Sequence, residues 1–122
     1  MTALAILEFH KDWAWVMTLA NAAVGLWALA AHQWSTFRRK ALWWAIGAAE
    51  LTVFVQAVLG VIVVNRYDIE VPQMHALYGF SAIIAVGIIY SYRNQMKHRL
   101  YLLYGLGSLF IMGLGFRAMA LS

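Results

Sequence analysis

Four long apolar stretches, separated by connectors of only about 7 to 9 residues, leave this chain few ways to fold. The stretches run near Asp12–Ala31, Ala41–Val64, Pro72–Tyr92 and Leu100–Leu121. Each approaches the ~20 residues that a helix, rising ~1.5 Å per residue, needs to cross about 30 Å of hydrocarbon. Connectors this short hold no extramembrane domain and turn each helix back beside the last. The sequence therefore predicts an all-α, polytopic membrane protein: a single domain over residues 1–122, built as an antiparallel up-down four-helix transmembrane bundle. Composition agrees, with 64% of residues hydrophobic and 11% charged, against about a quarter charged in soluble globules. No cleaved signal peptide is expected, because no basic region precedes the first apolar stretch.

Charge distribution sets an expected orientation. Arg38, Arg39 and Lys40 crowd the first connector, Arg93, Lys97 and Arg99 the third, and neither connector carries an acid. The N-terminal segment (Glu8, Lys11, Asp12) and the second connector (Arg66, Asp68, Glu70) are mixed in sign. The positive-inside rule then places connectors one and three in the cytoplasm and both termini on the non-cytoplasmic side of a cell membrane. On this reading the net charge of +4 serves orientation and contact with anionic lipid head groups, not nucleic acid. Trp13 and Trp15 are expected at the outer interface and Trp34, Trp43, Trp44, Tyr92 and Tyr101 at the inner one, with only Trp27 well inside a span.

Cysteine is absent, which removes disulfides, thiolate metal sites and covalent haem attachment. The chain also lacks a phosphate-binding glycine loop, a serine-nucleophile motif and a His-Glu-x-x-His motif. Soluble-enzyme chemistry thus has no support, and whether the protein is an enzyme stays open. Pro72 suits the first turn of the third helix. Gly47, Gly105, Gly107, Gly113 and Gly115 are expected to let helices approach closely.

Asn21 and Glu50 fall at nearly equal depth on the first two spans, and Ser81 and Ser108 near the same level on the others, so a buried polar layer is expected. A carboxyl at membrane depth is buried, paired or functional. Glu50 therefore has two readings, a protonated group hydrogen-bonded to Asn21 or a proton or ion site. Arg117 either snorkels or pairs with Glu8, Asp68 or an anionic cofactor group.

His10 and His75 lie at the outer ends of the first and third helices, which commonly sit diagonally across a four-helix bundle. Two imidazoles at matching height there form the geometry of a bis-histidine haem site. Below them, Gly79, Ala82 and Val86 share a face with His75, and Ala14, Met17 and Asn21 share one with His10. The small residues leave space for a porphyrin, with Arg66 or Arg117 beside its propionates. Another metal shell completed by Glu8 or Asp68, and no cofactor at all, remain alternatives. His32 and His98 lie in basic connectors and are expected to contact head groups.

Glu8-Phe9-His10-Lys11 opens one helix, Gln56-Ala57-Val58-Leu59-Gly60 lies late in the next, and Met74-His75-Ala76-Leu77 opens a third. Across about Leu7 to Phe80 this order resembles one four-helix half of the haem A synthase family. The resemblance implies haem ligation by His10 and His75. It does not extend to substrate oxidation, since Glu8 precedes His10 by two positions where the family's acid precedes by three. The later runs Ile88–Arg93 and Arg99–Gly105 are similar to small uncharacterised four-span proteins of actinobacteria.

The expected function is a small haem b-binding membrane protein, an electron-transfer or haem-handling subunit of a respiratory membrane complex. Two alternatives stand beside it: a cofactor-free accessory subunit that packs on a larger membrane complex, and a small self-associating transporter using Glu50. Expected partners are membrane lipids and a larger complex or a second copy.

Overall fold

The computed structural model describes residues 2–68 and 70–121. Among them the chain is all helical, with α1 (Ala3–Gln33), α2 (Lys40–Tyr67), α3 (Gln73–Ser91) and α4 (Leu100–Ala120) joined by short connectors. All four helices are long and apolar enough to cross a membrane.

Helix α1 begins nine residues earlier than the apolar stretch suggested. The Thr2 hydroxyl accepts from the Ala5 amide and starts the helix. Glu8, Lys11 and Asp12 continue it on exposed positions, because a charged side chain in a first turn or two ends an apolar pattern without ending a helix. At the other end of α2, Asp68 takes the left-handed conformation (φ 52°, ψ 41°) and stops the helix one residue after Tyr67. A short polar side chain tolerates that geometry better than most. Pro72 stands just before the first residue of α3 rather than within its first turn, and its carbonyl accepts from Ala76.

Packing is uneven around the four helices. Helix α1 lies against α2 and α4, and α3 lies against α4, whereas α2 and α3 touch only sparingly. In the most apolar stretch of each helix, α1 buries 44% of its residues but α2 and α3 only 22%. The outcome is a spatial order α2, α1, α4, α3 with a loose seam between its two ends.

The α1–α4 contact is close because glycines line it. A Cβ added at Gly105 would stand 3.1 Å from the Leu29 backbone nitrogen, and one at Gly25 would stand 3.1 Å from the Gly105 carbonyl oxygen. Gly115 gives room to the Thr18 hydroxyl in the same way, and Gly107 to Ile89 on α3. Gly47 and Gly113 differ from expectation: a Cβ at either meets nothing within 4 Å, so neither is a packing position. Gly25, which carried no signal beyond its residue type, belongs to the interface.

Two buried apolar clusters fill the interior. Val24, Ala28, Ala31, Leu42, Ile46 and Ala49 form one between α1 and α2. Met17, Val53, Ala82, Ala85, Val86, Ile89, Ile111 and Leu114 form the other, shared by all four helices. Asn21 is fully buried, and its amide donates to the Met17 carbonyl (2.9 Å) and across to the Ala49 carbonyl on α2 (3.3 Å). The expected Asn21–Glu50 hydrogen bond is therefore replaced by one to the neighbouring backbone. Ser81 donates to Leu77 within its own helix, and Ser108 is buried on α4. The indole of Trp27 donates to the Phe37 carbonyl in the first connector (2.9 Å), so this ring reaches the helix end that its position in the span did not suggest.

A histidine pair at the head of the loose seam

Where α2 and α3 fail to close, a cavity of about 860 Å³ opens between the helices. That size lies in the range of ligand and cofactor sites. Its walls are mainly apolar, with Ala14, Met17, Val53, Ala82 and Leu114 toward the interior. His10 and His75 both line it, together with Gln56, Gly60 and Gly79, and Lys11 and Glu70 border it.

The two imidazole rings come from the first and third helices, which are not among the closely packed pairs, and their centroids are 6.2 Å apart with planes inclined at 79°. A metal ion held on opposite sides by two imidazole nitrogens, at bonds of about 2 Å, separates the ring centroids by about 6 Å. Perpendicular ring planes are compatible with such an axis, because each ring turns freely about its own bond.

Each histidine is held from behind. The Nδ1 atom of His75 lies 2.6 Å from the Ala118 carbonyl oxygen on α4. A carbonyl accepts only, so Nδ1 carries the proton and Nε2 keeps its lone pair for a ligand. On α2 the Gln56 amide donates to the His10 main-chain carbonyl (2.8 Å). Gly60, one turn further along the same face, makes room for the ring itself: a Cβ there would stand 3.2 Å from His10 Cε1. His10 Nδ1 and Gln56 Oε1 are both buried without a well-formed hydrogen bond, and the two side chains are polar neighbours.

Of the residues singled out by sequence, His10 and His75 are brought together, and Ala14, Met17, Gly79 and Ala82 line the space beside them. Asn21 and Val86 do not line it. Arg66 is exposed and away from the cavity walls. Arg117 is also absent from the walls, although its guanidinium carbon stands 5.9 Å from the centroid of Tyr78, which lines the cavity. The cation on the cavity border is Lys11, next in sequence to His10. Among the described residues no three of His, Asp and Glu are grouped to hold a metal ion, so Glu8 and Asp68 complete no shell around the two histidines.

Gln56 and Gly60 enter the sequence reading only as part of the resemblance motif, and the Ala118 carbonyl does not enter it. The four-residue spacing of Gln56 and Gly60 on one helical face was the available signal; a main-chain carbonyl gives none. Glu50 is half-buried and, among the described residues, makes no hydrogen bond or ion pair. Tyr104 on α4 is its electrostatic neighbour.

Comparison with protein-family models, with curated proteins and with solved structures gives no match to this chain.

Proposed function

We propose that this chain is a multi-pass integral membrane protein that binds haem b between His10 and His75 and serves electron transfer or haem handling beside a larger respiratory complex. The observation that carries the reading is the pair of imidazoles set 6.2 Å apart at the head of an apolar cavity. The room at Gly79, where a Cβ meets nothing within 4 Å, adds support.

Haem bound there would supply a one-electron carrier. The protein's own part is to orient and exclude. The Ala118 carbonyl fixes the His75 tautomer, and Gln56 pins the α1 backbone at His10. Mainly apolar walls would keep water from a haem held there. Lys11 at the border, with Arg117 over Tyr78, offers positive charge to carboxylate groups at the cavity mouth. The resemblance to a haem A synthase half supports the same ligand pair. Purified from haem-replete cells, the protein is expected to show a Soret band and sharp visible bands on reduction; a colourless preparation would remove this reading.

In the proposed membrane arrangement the four helices run up and down, antiparallel, with connectors one and three in the cytoplasm and both termini outside. Met1 and Ser122 themselves lie outside the described residues. Support comes from the six cations and no acids in those two connectors. A cysteine introduced at Asp68 is expected to react with a membrane-impermeant maleimide added to intact cells. One introduced at Arg39 is expected to react only after lysis, and the reverse pattern would invert the assignment.

A further inference from the structure

We infer that the opposite end of the protein carries a phosphate-binding site, formed where the first and third connectors meet. It is independent of the histidine pair and of any haem there. A cavity of about 440 Å³ is lined by His32 at the end of α1, Arg38 in the first connector, and Lys97, His98 and Arg99 in the third, with Trp43, Leu100 and Tyr101 as its remaining wall. Every charged side chain in this lining is basic. Three permanent cations and two imidazoles around one cavity repel each other, and an anion between them turns that repulsion into attraction.

Arg38 is set in place before any ligand arrives. Its Nε donates to the Ala31 carbonyl (2.7 Å), its Nη2 to the His32 carbonyl (3.2 Å), and its guanidinium carbon stands 5.5 Å from the Tyr101 ring centroid. Trp43 packs against that same ring, with centroids 5.1 Å apart. Two of the five guanidinium N–H groups are thus used on the last turn of α1, and three stay available in a fixed plane. Such a pre-oriented fork matches the oxygens of a phosphate better than a mobile surface arginine does.

A second element faces the same space. Helix α4 follows directly on a 3-10 turn at Lys97–Arg99, and its first two residues line the cavity beside that turn. Basic side chains from two connectors therefore converge on one pocket, the arrangement expected for a phosphate group. The volume accommodates a phosphate that carries a substituent. An anionic phospholipid head group and a soluble phosphate share this chemistry.

The test uses the full chain reconstituted in nanodiscs of equal phosphatidylglycerol and phosphatidylcholine, with retained lipid read by native mass spectrometry. Binding of inorganic phosphate to the detergent-solubilised protein is read in parallel by isothermal titration calorimetry. Wild type is expected to retain the anionic lipid selectively or to bind phosphate. Lys97→Gln with Arg99→Gln should reduce that retention or affinity at least about tenfold. Arg39→Gln with Lys40→Gln removes the same charge outside the cavity and should change it by less than about twofold, because solvated charge is screened. Lipid retention that millimolar phosphate does not displace identifies the head group as the source; saturable phosphate binding without selective lipid retention identifies the soluble anion. Equal losses in the two double variants, or no preference and no phosphate binding by wild type, would overturn the site. A wild-type far-UV spectrum for each variant separates loss of binding from loss of fold.

Discussion

Replacing both His10 and His75 with Ala is expected to abolish the Soret band of protein purified from haem-replete cells while leaving its helical content intact. Each ring lines the cavity without supporting the apolar clusters, so the fold survives their truncation. Haem content should fall more than about tenfold in the double variant, and in either single variant the optical bands should shift as one histidine ligand is lost. The residues behind the rings separate ligation from simple space. Gln56→Ala removes the hydrogen bond to the His10 carbonyl and should weaken haem affinity by about tenfold, as loss of an outer-shell partner does. Gly60→Leu pushes a side chain into the position that His10 Cε1 occupies, 3.2 Å from the first added carbon. It should lower haem content with both ligands still present. Full haem retention in the double histidine variant would end the assignment, whatever the other two variants do.

The parts of this arrangement that the amino-acid order displays are those governed by local chemistry. Four helices follow from four apolar runs, and the juxtaposition of His10 and His75 follows from helix lengths and short connectors. Boundaries were less legible. Glu8, Lys11 and Asp12 interrupt the apolar pattern, yet α1 runs through them to Thr2 because the helix lets them point outward. Partner choice was not legible at all. Asn21 finds the Ala49 carbonyl instead of the Glu50 carboxyl one residue later, since facing backbone at the same depth offers acceptors that no residue type reveals. The same holds for the Ala118 carbonyl behind His75. Arg66 and Arg117 matched the cavity by height along the helix, but height does not fix which way a side chain leaves it, and Lys11 has the position on the border. The loose α2–α3 seam that creates the cavity is a property of four packed surfaces together.

Gly105→Leu is expected to be the most disruptive single substitution in the chain. In hydrocarbon, helices gain little from hiding apolar surface, since lipid tails are equally apolar, and association rests on close packing. The α1–α4 contact is where that closeness is greatest: Leu29 nitrogen and the Gly105 position, and Gly105 oxygen and the Gly25 position, leave only 3.1 Å for an added carbon. The Leu29 side-chain tip can turn away from a new methyl group, but its backbone nitrogen cannot, so even Gly105→Ala must part the helices by some tenths of an ångström. That change should cost about 1–3 kcal/mol, the usual range for overpacking, and Gly105→Leu should exceed it. Gly47→Ala and Gly113→Ala meet nothing within 4 Å and should be neutral or stabilise by up to about 1 kcal/mol, because alanine is the better helix former. Unfolding by SDS in mixed micelles, followed by far-UV circular dichroism, reads all four. Because α1 also carries His10, and α4 the carbonyl that holds His75, parting them should loosen the histidine pair as well. A Gly105→Leu protein as stable as Gly47→Ala would show that the glycine contact does not hold the helices together.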